Sequence, residues 1–244
     1  MRALIAILLI LLVTILFFQK DISAWFSKQT VKIQDTVEDN LGSFSSVNGV
    51  KLRHNGSITV SQAVIGDLLQ LDLESATISL TGSDSDTAEL LIGYREYKPG
   101  DASFRIDGSR LISHTQSGKP VLITSVDGSI PKALSLKASS GNGEVQISAM
   151  QGSQEISIDT GNGAMEADNC SAKKLVLDSG NGAILLNSCQ ADRVEVNTGN
   201  GAITVANSQI GFLAADTGLG DIVLRSSQIR DKQLDTGLGK ILEN

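Results

Sequence analysis

A single-stranded parallel β-helix, an all-β solenoid with about 19 residues per coil, is the fold that this 244-residue chain predicts. Three observations predict it. Ser/Thr-Gly-X-Gly recurs six times in the C-terminal half, with first glycines spaced 20 and then 19 residues throughout. A fixed period of that size marks stacked units, none of which can bury its apolar face alone. Apolar residues also recur at every second position on both sides of the glycines, the period of a strand with one buried face. Finally, 24 glycines, three prolines and 4% aromatic residues suit repeated turns closed over small inward side chains.

The chain opens with its localisation signal. Every residue from 3 to 18 except Thr14 is strongly apolar, with Arg2 before the run and Gln19 and Lys20 after it. Sixteen helical residues rise ~24 Å, and Trp25 and Phe26 can extend the anchored region at the interface. Residues 1–20 are therefore read as a transmembrane helix, single-pass, with the bulk of the chain extracytoplasmic, at the cell surface or in the periplasm. A cleaved signal ending at Ala24 is the alternative, disfavoured because Ile22 stands where a small residue is preferred. Ile22, Phe26, Ile33, Val37 and Leu41 follow at roughly helical intervals, so residues 21–42 form a helical stalk or linker.

Residues 43–137 carry strand-like segments at 57–60, 68–73, 76–80, 89–94 and 121–124, but their glycine spacing is irregular. Degenerate coils or an N-terminal cap over the first strand edge are expected here, with a separate small β domain as the other reading. The regular repeats occupy 138–244. Leading into and along them, Leu136, Ile156, Leu175, Val194 and Leu213 form one inward column and Ala138, Ile158, Leu177, Val196, Ala215 and Leu234 the next. After the glycines, Val145, Met165, Ile184, Ile203, Ile222 and Ile241 form a third, followed by Ile147, Ala167, Leu186, Val205 and Leu224. A further column, Ala172, Ala191, Ile210 and Ile229, suggests another inward wall and leaves the cross-section triangular or flattened.

Six glycine pairs are read as the structural turn: Gly141 with Gly143, Gly161 with Gly163, Gly180 with Gly182, Gly199 with Gly201, Gly218 with Gly220, and Gly237 with Gly239. The expected reason is a corner that needs positive φ in every coil. Between them Asn142, Asn162, Asn181 and Asn200 can form an amide ladder along the axis. Just before each turn stands a polar column of Asp159, Asp178, Asn197, Asp216 and Asp235, followed by Thr160, Ser179, Thr198, Thr217 and Thr236. Bonds from turn amides of the same coil explain this column. Stacked carboxylates sharing a cation are the competing explanation, but the nine-residue unit of calcium-binding solenoids is absent. Cys170 and Cys189 lie one repeat apart in a column continued by Ser208 and Ser227, either as buried thiols or as a disulfide between neighbouring coils.

The run SGNGEVQIS, TGNGAMEA, SGNGAILL, TGNGAITV and TGLGDIVL is similar to the bacterial putative-adhesin β-solenoid family, related to auto-transporter adhesin head domains. The resemblance covers 138–244. It implies an N-terminal membrane segment or signal followed by an extracytoplasmic β-helix, and it brings no catalytic residues to carry over. The chain departs from the motif at Leu219 and Leu238, which replace the ladder asparagines and form a candidate interaction patch.

A formal charge of -7 excludes a nucleic-acid partner, since phosphate backbones would be repelled. No catalytic, cofactor or metal residues stand out. His54 and His114 both fall outside the regular repeats and read as surface residues. The expected function is a non-catalytic, membrane-anchored adhesion or binding module of the cell envelope, whose partner is an envelope protein or a surface glycan. Two alternatives stand beside it, a self-assembling scaffold resembling the bactofilins and a polysaccharide-acting β-helix enzyme.

Overall fold

A computed structural model describes residues 45–244. The apolar run 3–18 and the stalk 21–42 lie outside the described residues, among which no helix is long and apolar enough to cross a membrane.

The described chain is all β. Its regular half alternates long and short strands: β10 (Ser135–Ser140) with β11 (Val145–Ser148), β12 (Gln151–Thr160) with β13 (Met165–Asp168), and β14 (Ser171–Ser179) with β15 (Ile184–Asn187). The series continues with β16 (Gln190–Thr198) and β17 (Ile203–Ala206), β18 (Gln209–Thr217) and β19 (Ile222–Arg225), and β20 (Gln228–Thr236) and β21 (Ile241–Glu243). Each long strand pairs in parallel with the next long strand and each short one with the next short one. These pairings make a parallel β-solenoid of about 19 residues per turn.

Register aligns the inward columns from coil to coil, although in the last coil Ile241, expected inward, is 42% exposed. Leu175 faces Val194 and Val194 faces Leu213, while Ile184, Ile203 and Ile222 align on the short strands. All six are buried, in one continuous core that runs from Val60 to Leu224. Each such side chain contributes about 1.5–3 kcal/mol by leaving water. Ala172, Ala191, Ile210 and Ile229 also align, but on the same long strands as the first columns rather than on a strand of their own. Two successive outward residues, such as Lys173 and Lys174, separate this wall from the next inward side chain. The single 20-residue interval has an equally local cause: Gly152, at φ 81°, is the extra residue of a bulge between Gln151 and Ser153.

The stretch before the repeats contains a hidden coil. Strand β4 (Leu68–Leu73) pairs in parallel with β10, and β5 (Thr77–Ser83) with β11, so Leu69, Leu71, Ile78 and Leu80 start the inward columns. The chain then leaves the solenoid for β6 (Thr87–Glu96), β7 (Ala102–Asp107), β8 (Arg110–Thr115) and β9 (Leu122–Pro131) before returning at β10. Strand β9 runs parallel to β5 and antiparallel to β6, which in turn pairs antiparallel with β3 (His54–Ala63). The hairpin of β7 and β8 extends the other sheet beside β4. These strands cap the N-terminal edges, and a small hairpin of β1 (Ser45–Val47) and β2 (Val50–Leu52) precedes them.

The corner glycines stand where the repeat places them, but the reason is not positive φ. None of the twelve has it. A Cβ on Gly182 would lie 1.7 Å from the Gly163 carbonyl oxygen, and one on Gly201 would lie 1.9 Å from that of Gly182. The last two corners follow the same rule. A Cβ on Gly220 would lie 1.9 Å from the Gly201 carbonyl oxygen, and one on Gly239 would lie 1.9 Å from that of Gly220. The expectation of a left-handed backbone is thus corrected at Gly220 and Gly239 as at the other ten: each glycine is bare because the coil before it passes too close for a side chain. The left-handed residues of the repeats sit at another corner, after the short strands: Ala149, Asn169, Ser188, Asn207 and Ser226 have φ between 47° and 55°. Such a conformation costs non-glycine residues about 1–2 kcal/mol. Inter-coil backbone bonds such as Ser188 N–H to Ala206 O at 3.0 Å hold it in place.

Candidate functional site

The polar columns divide by depth. Thr160, Ser179, Thr198 and Thr217 are buried, and each hydroxyl donates to the second glycine carbonyl of the preceding coil, at 3.2, 3.0, 2.9 and 2.8 Å. Ser179, Thr198 and Thr217 also accept from the amide of the second glycine in their own coil. The hydroxyl column thus satisfies turn groups that would otherwise be buried unpaired. The aspartates beside it make no such bonds and are exposed. Asp159 and Asp178 are adjacent in register, and desolvation, then the charge of Asp159, hold the Asp178 carboxyl above its ordinary value. A carboxyl shifted upward favours the fold when protonated, so its contribution is lost as pH rises through the raised pKa. Among the described residues no group of three or more His, Cys, Asp or Glu is arranged to hold a metal ion.

The asparagine ladder forms: Asn162 Nδ2 donates to Asn142 Oδ1 at 2.9 Å, Asn181 to Asn162 at 2.6 Å, and Asn200 to Asn181. It stops where Leu219 and Leu238 begin. These leucines are 56% and 82% exposed. The last inward positions carry Lys232 and Glu243, which form an ion pair with each other at the open end. Cys170 and Cys189 are buried free thiols, continuous with Ser208, whose hydroxyl accepts from the Cys189 amide at 3.0 Å. The hydrogen bond with Cys189 and burial push the Cys170 thiol up.

A different feature gathers the most binding chemistry. A groove of about 840 Å³ runs across successive coils where the long strands begin. It is lined beneath by the column of Ala172, Ala191, Ile210 and Ile229, of which Ala191 and Ile210 are buried and only Ala172 and Ile229 partly exposed. One side carries Gln190, Gln209 and Gln228 in register. The other carries Lys173, Asp192 and Arg230, with Gly211 between the last two; a Cβ on Gly211 would meet the Asp192 carbonyl oxygen at 2.5 Å. The upstream Gln151 amide is already used by the Asn169 carbonyl at 2.9 Å, whereas the three groove glutamines make no side-chain bond among the described residues. Each presents two donors and an acceptor, repeated at the interstrand spacing of ~4.8 Å.

Beside the groove the outer face is braced. Glu195 accepts from Arg193 at 2.6 Å and pairs with Lys174 at 3.2 Å, and Arg193 lies 4.7 Å from the Phe212 ring centroid. Arg193 first, with Lys174, holds the Glu195 carboxyl below its ordinary value. The glutamine column was open to sequence reasoning, since Gln190, Gln209 and Gln228 recur at the 19-residue period. Polar outward residues simply carry no packing signal. The groove shares no lining residue with the exposed leucine pair.

Residues 131–237 match the Toastrack DUF4097 family, a span that holds all six first-turn glycines. No curated protein matches the chain. Among solved structures, a putative adhesin from Bacteroides fragilis is similar at 16% identity, with 78% of this chain and 97% of that chain covered and a TM-score of 0.49. A putative adhesin from Parabacteroides distasonis is similar at 12% identity, covering 78% and 97% of the two chains at a TM-score of 0.41. A third, described as a putative lipid binding protein from the same species, shares 14% identity over 82% of this chain and 99% of that one, at a TM-score of 0.35.

Proposed function

We propose that this chain is a non-catalytic binding module, tethered to the membrane by residues 1–20 and displayed in the cell envelope, that holds an extended surface glycan in its lateral groove. The three unengaged glutamine amides in register carry the reading. Amides at a fixed spacing suit a polymer whose hydroxyls recur along its length, and Lys173 and Arg230 add donors at the rim. Catalysis on such a polymer would call for a convergent acid and base. The carboxylates recur along a whole column instead, and His54 and His114 lie exposed on β3 and β8.

Incubating the purified full-length chain with a panel of envelope polysaccharides separates the classes. Retention of an intact polymer is expected, and Gln209→Leu or Arg230→Gln should each weaken it by about tenfold, the loss of one or two good polar contacts. Shortened polymer would indicate an enzyme. Binding unaffected by both substitutions would remove the groove from the account.

A second reading, association of two copies through the exposed leucines, is favoured by their 56% and 82% exposure. Leu219→Asn with Leu238→Asn extends the ladder from Asn200 and should change stability by no more than about 0.5 kcal/mol. If the patch drives association, the double variant sediments as a smaller species than the parent. Identical sedimentation of the two would dismiss this role.

A further inference from the structure

We propose that the N-terminal end of the described unit carries a docking site for the phosphate-bearing headgroups of anionic membrane lipids. The site is a cavity of about 550 Å³ lined by Lys98, Lys119, His54 and Tyr97, with Lys51 and Arg53, each already engaged by a partner of its own, beside them. No carboxylate lines it, in a chain whose formal charge is -7.

The two nearest acids in sequence are spent on building the site. Glu96 is buried and accepts from the amides of Gly100 at 2.7 Å and Ala102 at 2.9 Å. Asp101, also buried, accepts from the Ser117 amide at 2.7 Å and from its hydroxyl. These bonds fix the two turns that carry Lys98 and Lys119. The Thr115 hydroxyl further donates to the Lys119 carbonyl at 2.7 Å. Each lysine also precedes a proline, Pro99 or Pro120, which restricts its backbone to extended conformations. Both side chains are exposed, and among the described residues neither forms an ion pair. Buried carboxylates that order two cation-bearing turns make a pre-organised anion site rather than a scatter of surface lysines.

A lipid is the occupant that the rest of the rim fits. Tyr97 is 40% exposed, and the Lys98 ammonium lies 5.9 Å from its ring centroid, an aromatic beside a cation as at a membrane interface. This proposal rests on the membrane-tethered reading. Each cation held at an anionic surface contributes about 1 kcal/mol, or about fivefold in affinity.

The test uses the full-length chain in vesicles of phosphatidylcholine alone and in vesicles with phosphatidylglycerol added, read by amide hydrogen exchange at residues 96–101 and 116–119. Exchange in both turns should slow about fivefold or more on the phosphatidylglycerol vesicles only. Lys98→Gln with Lys119→Gln should abolish that difference without lowering the melting temperature. Equal exchange on both vesicles, or slowing retained in the double variant, overturns the proposal. Slowing reproduced by inorganic phosphate on phosphatidylcholine vesicles replaces the lipid with a free anion. A carbonate wash of the same samples tests the tether separately, because a chain that washes off yet shows the lipid-dependent slowing has the site without the anchor.

Discussion

Gly182→Ala is expected to cost about 3 kcal/mol or more, the upper range for forcing atoms into a packed interior, and to lower the melting temperature by about 10 °C. The added methyl would stand 1.7 Å from the Gly163 carbonyl oxygen, 2.3 Å from its carbon and 2.8 Å from the Ala164 nitrogen. All three are backbone atoms of the preceding coil and cannot rotate away. The first coil supplies the control, for Ala76 occupies the position that Gly143 holds one coil later, and there the methyl is native. Ala76→Gly should therefore lose only about 1–2 kcal/mol, the backbone entropy plus one buried methyl. Thermal melts followed by circular dichroism decide it, and a Gly182→Ala protein that melts with the parent would show that the coils are not in contact at this corner.

Thr198→Val should cost about 3 kcal/mol, because it keeps the shape while leaving two buried turn groups without partners. The lost hydroxyl donates to Gly182 O at 2.9 Å and accepts from Gly201 N at 3.2 Å, in a side chain only 5% exposed. Thr198→Ser retains both bonds, as Ser179 does at the equivalent position, and should lose less than about 1 kcal/mol. Chemical denaturation of the pair distinguishes bonding from packing. Equal midpoints for Val and Ser would assign the column to packing alone.

The inward columns were legible in the sequence because a buried strand face leaves a period of two in residue type, and the 19-residue repeat aligns one strand with the next. The corner was legible in place but not in cause: a glycine looks the same in sequence whether it serves a backbone angle or a close approach. The true left-handed corner left a weaker mark, since its column mixes Ala149 with Asn169, Ser188, Asn207 and Ser226 and holds no glycine. There the inter-coil backbone bonds, not the residue, impose the conformation. The first coil was legible only as a degenerate one, its strands marked at 68–73 and 76–80 but its corner unrecognised, because that corner reads Glu74-Ser75-Ala76 in place of the glycine pair. The cap that follows consists largely of antiparallel strands, whose partners lie at unequal distances along the chain and so generate no repeat. Of the groove, the glutamine column lay in plain view, but only the fold shows that those residues face Lys173 and Arg230 across a trough.

The bareness of the corner glycines runs in one direction. Each coil must be stripped toward its N-terminal neighbour, while its own carbonyls stay ready to receive the next bare corner. The solenoid therefore has a seed end and a growing end, and any 19-residue unit copied from its middle already satisfies the demand at both of its faces. Such a duplication, inserted in frame, would lengthen the molecule and its groove by ~4.8 Å without altering a single contact type. Solenoid length becomes a quantity that tandem duplication can set coil by coil, and the molecule can be resized by copying alone.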